Sequence, residues 1–249
     1  SLKCNIVESK QFTDQQNGNF FIRQSFTLNE KNKLPKLKNR LELLSNELNA
    51  AFFLSEIESS MNSVLMVSKF DHCLNDLLFR VRSNSLNLKV KAIISNHKIA
   101  EEIANFSKIP FYYLPINKYN KQEQEQKIKD IIYKNDIELL VLARYMQVLS
   151  EDFTHEFEGK IINIHHSFLP SFKGAKPYHQ AFERGVKVIG ATAHYVTKDL
   201  DEGPIIEQDT QEVDHEMMPN DLVLMGRDIE SRVLYRALKA HLEKRVFLN

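Results

Sequence analysis

Between residues 137 and 143 the chain reads Ile-Glu-Leu-Leu-Val-Leu-Ala, too apolar for a strand with one wet face. A strand buried on both faces belongs to a parallel sheet with helices packed above and below it. The flanking sequence supplies the rest of such a sheet. Strand-like runs at 63–69, 89–95, 111–116, 160–166, 188–197 and 203–213 alternate with helical ones. Leu74, Leu77, Leu78 and Val81 recur at helical spacing, 97–106 is a short helix, and Ile128, Ile131 and Ile132 mark the buried side of 121–134. Residues 177–185 form a further helix. A long final helix over 220–246 carries Leu222, Met225, Ile229, Val233, Ala237 and Leu238. The expected class is α/β, a mostly parallel open sheet with helices on both faces, whose ligands bind beyond the carboxyl ends of the strands.

The first residues follow another pattern. Residues 5–11 and 20–28 are β-rich, with Asn17-Gly18-Asn19 as a hairpin-type turn between them. Leu37, Leu41, Leu44 and Leu48 form a helical stripe behind Pro35, and 51–57 reads as another strand. This ββαβ unit is too small to bury a good core alone. The polar stretch 56–63 is its linker, so the 249 residues divide into domains at 1–58 and 59–249.

Composition excludes several classes. Lys+Arg and Asp+Glu both number 33, so there is no basic excess to hold nucleic acid or a membrane surface. Cys4 and Cys73 are too few to staple a secreted scaffold or build a Cys-rich metal site, and read as reduced thiols of a cytoplasmic protein. No run of about 20 apolar residues is present to cross a membrane, and no secretory signal is visible. The absence of a leading Met suggests that the chain begins inside a longer protein.

Two stretches carry chemistry. In Asn163-Ile164-His165-His166, residues two apart on a strand share a face, so Asn163 and His165 stand side by side. Asn163 can equally bond a neighbouring loop and His165 can be a satisfied core histidine. Asp201 lies in Leu200-Asp201-Glu202-Gly203-Pro204, where an aspartate is ordinary turn chemistry. Together, amide, imidazole and carboxylate suit attack at a carbonyl. The amide hydrogen-bonds an oxyanion, the imidazole exchanges protons near neutral pH, and the carboxylate orients it. There is no Gly-x-Ser-x-Gly elbow, phosphate-binding glycine loop or His-Glu-x-x-His zinc motif. His165-His166 lacks a third metal ligand at typical spacing.

Asn163-Ile164-His165 followed by Ser167-Phe168-Leu169-Pro170 and Gly174 resembles the signature of the folate-dependent formyltransferase superfamily. The run from Gly190 through Leu200-Asp201-Glu202-Gly203-Pro204-Ile205-Ile206 is similar to its second motif, and the match spans residues 63–249. The resemblance places the catalytic positions on Asn163, His165 and Asp201. It places folate-holding segments at 144–149 and 194–201, taking in Arg144, Met146, Gln147, Val148, Leu149, His194, Val196 and Asp199.

In the glycinamide ribonucleotide formyltransferases the first βα turn is glycine-rich and cradles a phosphate. Here it reads Val67-Ser68-Lys69-Phe70-Asp71-His72-Cys73-Leu74, with no glycine to let a phosphate approach the backbone. That turn, the 165–170 run and Pro177-Tyr178-His179-Gln180-Ala181 resemble the formyltetrahydrofolate deformylases, whose acceptor is water. The resemblance implies hydrolysis of 10-formyltetrahydrofolate to formate and tetrahydrofolate, supplying formate for purine synthesis. The folate is the substrate, and no metal or redox cofactor is expected. It further implies a homo-oligomer and a front end similar to an ACT domain, with an amino acid as effector. Residues 5–57 match only the last four elements of that domain, so Ser1–Lys3 should be the stub of its first helix. Both ends of the family pattern are expected to be missing from this chain. Two rivals remain: a formyltransferase with an aminoacyl-tRNA or amino-sugar-nucleotide acceptor, and a non-catalytic amino-acid sensor.

Overall fold

The computed structural model describes residues 4–29, 31–57, 59–170 and 177–248. The chain divides into two compact units, Ser1–Ser59 together with Lys244–Asn249, and Ser60–Glu243. The last residues thus group with the front unit and not with the helix that precedes them. Ser1–Lys3 and the 171–176 part of the first motif, with Gly174, lie outside the described residues.

In the front unit β1 (Cys4–Thr13) pairs antiparallel with β2 (Phe20–Leu28), and Gly18 at φ 75° closes the turn with its N–H on the Asp14 carbonyl. The helix α1 (Leu34–Glu47) carries Pro35 in its first turn and fully buries none of its residues; Leu37 and Leu41 of its stripe are partly covered, and Leu44 and the following Leu48 are exposed. The expected strand at 51–57 does not form. A strand exists through its ladder, and β1 and β2 pair only with each other, leaving Phe53 71% and Ile57 75% exposed.

Among the described residues the second unit holds seven strands: β3 (Met61–Val67), β4 (Leu88–Ser95), β5 (Phe111–Tyr113), β6 (Leu139–Leu142), β7 (Ile161–His165), β8 (Val188–Tyr195) and β9 (Ile205–Glu212). Their order is β5-β4-β3-β6-β7-β8-β9. All neighbours are parallel except that β8 runs antiparallel to β7 and β9. The linker expected to reach residue 63 stops sooner. Met61 pairs with Leu88, and the Asn62 amide side chain donates to the Asp136 carbonyl at 3.1 Å, which draws these residues into β3.

Helices α2 (His72–Arg82), α3 (Glu101–Phe106), α4 (Lys121–Lys134), α5 (Glu151–Glu156), α6 (Pro177–Glu183) and α7 (Pro219–Leu242) cover the sheet. Val64, Met66, Leu140, Leu142 and Ile161 pack with Ile128, Ile131 and Ile132 of α4 and with Phe153 and Phe157. The alternate residues Leu65, Leu139 and Val141 point to the opposite face and are equally buried, and α7 packs along β7, β8 and β9 with α2 and α6 beside it. Gly226 lets α6 come close to α7, since a Cβ there would lie 2.1 Å from Cζ of Tyr178. The sequence reading missed α5. Its signal is a capping serine before two acids, and Ser150 Oγ does accept from the Phe153 N–H.

Candidate active site

Ile161, Asn163 and His165 share one face of β7. Asn163 and His165 carry that face past the edge of the apolar cluster to which Ile161 belongs. The antiparallel register of β8 sets Asn163 opposite His194, and Asn163 Nδ2 lies 3.2 Å from His194 Nε2. His194 Nδ1 is 2.9 Å from the Tyr195 carbonyl, which can only accept, so Nδ1 carries the hydrogen and Nε2 accepts from Asn163. The Asn163 amide nitrogen keeps a second hydrogen for another partner.

The loop after β8 turns back over this face. Asp201 sits in the left-handed backbone region at φ 57°, uncommon for a residue with a side chain. Gly203 makes the turn possible, because a Cβ there would lie 1.8 Å from the Tyr195 carbonyl oxygen. So held, Asp201 Oδ2 reaches His165 Nδ1 at 3.2 Å, and Oδ1 stands 3.7 Å from His194 Nε2. Burial pushes the Asp201 carboxyl up, but lowering contacts led by the hydrogen bond from His165 outweigh it and hold the group well below the usual carboxylate range. Asp201 is therefore an anion at neutral pH and fixes His165 with its hydrogen on Nδ1. His165 Nε2 is then buried with no hydrogen-bond partner among the described residues.

These groups line one cavity of about 290 Å³. Arg144, Met146, Gln147, Val148, Leu149, His194, Val196 and Asp199, all expected near the substrate, line it too. Met146 and Val148 expose about half of their apolar side chains there. Thr154 and His166 also face the cavity; the first was missed, and the second was weighed only as half of a His-His pair. The 144–150 loop is tied down at both ends. Ser68 donates its N–H to the Arg144 carbonyl and accepts the Met146 N–H on Oγ at 2.9 Å. Glu125 accepts from both the N–H and the hydroxyl of Ser150.

Behind the cavity, Glu230 of α7 gathers charged and polar groups. His72 Nε2 and Tyr178 Oη each approach one of its oxygens at 2.7 Å. Arg144 Nε lies 3.2 Å from the same carboxylate, but its N–H is not directed along a hydrogen-bond line, so the contact is one of charge. Burial raises the Glu230 carboxyl, yet the His72 hydrogen bond and the Arg144 charge outweigh it and keep it below its ordinary value. His72, Cys73 and Glu230 stand close enough to be metal ligands, but the Arg144 cation beside that carboxylate opposes a second cation.

An amide with a hydrogen to spare, an imidazole fixed by a carboxylate and a cavity at the carboxyl ends of β6 and β7 define an enzyme equipped for chemistry at an acyl carbon. The family described as formyl transferase matches residues 61–238. A formyltetrahydrofolate deformylase of Corynebacterium sp. (strain P-1) is 49% identical over 98% of this chain and 85% of the relative. The solved structure of a formyltetrahydrofolate deformylase from Pseudomonas putida KT2440 superposes with a TM-score of 0.94 at 47% identity, covering 100% of this chain and 89% of that one. A phosphoribosylglycinamide formyltransferase from Anaplasma phagocytophilum has a TM-score of 0.69 at 29% identity, covering 76% of this chain and 90% of that one. The chain belongs to the formyl transferase family, and within it to the formyltetrahydrofolate deformylases.

Proposed function

We propose that this chain hydrolyses 10-formyltetrahydrofolate to formate and tetrahydrofolate at the Asn163, His165 and Asp201 site. The observation that carries the reading is the 3.2 Å contact of Asp201 with His165 inside the cavity lined by both expected folate segments. In this reading the segments 144–149 and 194–201 hold the pterin, and Met146 and Val148 lie against its rings. Water attacks the formyl carbon and gives one proton to the Asp201–His165 pair. The Asn163 Nδ2 hydrogen that His194 does not take, and the Nε2–H that His165 has gained, then bind the oxyanion. The pair passes the proton to N10 as the C–N bond breaks. Proton transfer and oxyanion stabilisation suffice for an N-formyl group, so the mechanism needs no metal or redox cofactor.

The same reading makes the front unit an ACT-like regulatory domain that answers to an amino acid. It places the enzyme in the cytoplasm as a homo-oligomer, supplying formate for purine synthesis. The test is formate release from 10-formyltetrahydrofolate with water alone and with added glycinamide ribonucleotide. Equal release in both supports hydrolysis, and loss of formyl only with the amine present refutes it.

A further inference from the structure

Three imidazoles line the cavity, and two are committed: His194 on both nitrogens, and His165 to Asp201 on Nδ1 and, in the hydrolytic reading, to the oxyanion on Nε2. His166 is the third. It is the first residue past the end of β7, where strand alternation no longer turns it away, and its ring centre lies 5.1 Å from that of His165 at a tilt of 43°. Its side of the cavity is close-packed, with 8% of the residue exposed. Yet neither ring nitrogen meets a hydrogen-bond partner among the described residues, and neither is sealed from open space. A buried imidazole left so is placed for a ligand atom.

We propose that His166 binds the attacking water and thereby fixes the acceptor of the formyl group. The inference rests on the hydrolytic reading above and names the residue that makes water, and not an amine, the nucleophile. A neutral imidazole has one nitrogen that accepts a hydrogen bond. Burial, helped by the nearby charge of Arg144 and by His165, pushes the His166 pKa down to about 3, so the ring stays neutral throughout the working range. Arg144 is held beside it by Glu230.

The water oxygen forms a bond to the formyl carbon, one water proton goes to the Asp201–His165 pair, and the remaining O–H donates to His166. The C–N10 bond breaks as N10 takes the proton from the pair, and the formic acid released ionises to formate. His166 holds a hydrogen and never removes it. An amine acceptor carries a carbon substituent where water carries that hydrogen, and the substituent would meet the ring.

The test compares wild type, His166→Ala and His166→Gln with 10-formyltetrahydrofolate, with and without N-methylhydroxylamine, an amine whose nitrogen carries a methyl group where water keeps its second hydrogen. His166→Ala should lose about 10²-fold in kcat for formate release, with folate affinity little changed. Its ratio of N-methylformohydroxamate to formate should rise about 10-fold or more, the change expected when one water-specific hydrogen bond is lost. His166→Gln, whose carbonyl oxygen can accept the same hydrogen bond, should recover most of the hydrolysis. Hydrolysis by His166→Ala near the wild-type rate would overturn the proposal. So would a parallel fall of both products, because a merely structural role leaves their ratio unchanged. If His166→Ala does not fold, His166→Leu must lose hydrolysis while His166→Gln keeps it, and equal activity of the two refutes the proposal. Absence of formate release from wild type would overturn the hydrolytic reading as well.

Discussion

Asp201→Asn is expected to lower kcat by about 10³-fold or more while folate binding survives. The substitution conserves shape and leaves the cavity intact, so binding measured by fluorescence titration should change little. What changes is the proton inventory. The carboxylate can only accept, which places the hydrogen of His165 on Nδ1 and leaves Nε2 toward the reacting group. An amide can instead turn its NH₂ toward Nδ1, which favours the opposite tautomer and removes the negative charge that stabilises a protonated His165. Near-wild-type hydrolysis by Asp201→Asn would remove Asp201 from the mechanism.

The largest expected loss of stability follows from Glu230→Ala, about 3–5 kcal/mol, because it leaves a buried cation without its counter-charge. Glu230 is 1% exposed and holds His72, Tyr178 and Arg144, which reach it from α2, α6 and the 144–150 loop. One side chain therefore fastens three pieces of the second unit to α7. Glu230→Gln keeps the volume and the Tyr178 hydrogen bond and should cost less. The pH dependence separates charge from packing. The native carboxyl titrates below its unfolded value of about 4.5, so its contribution is fully present above that pH and is lost as pH falls through the lower, folded pKa. Denaturant midpoints of wild type and Glu230→Gln should differ most above about pH 5 and converge in acid, because only wild type has this charge to lose. A gap that stays constant to pH 3 would assign the effect to packing.

The second unit was legible because its strands are apolar enough to demand two covered faces, and its helices have clear stripes. The front unit was less so. Residues 51–57 have strand composition, but composition cannot say whether an edge is free to pair with them, and none in the described structure does. The site divides along the same line. Asn163 and His165 follow from strand alternation, and the two folate segments from resemblance. The contact of His165 with Asp201 depends on a left-handed residue and on Gly203 beneath Tyr195, which no local pattern encodes. Glu230 was hidden for the opposite reason. A glutamate within an apolar helical stripe reads as a surface residue until its partners, far away in sequence, are placed around it.

That water, and no amine, takes the formyl group can be read from the oxygen of the product. When this chain hydrolyses 10-formyltetrahydrofolate in ¹⁸O-enriched water, mass spectrometry should find one solvent oxygen in each formate released, formed in step with tetrahydrofolate and without any added acceptor. Formate free of solvent label, or no formate until an amine is supplied, would contradict hydrolysis.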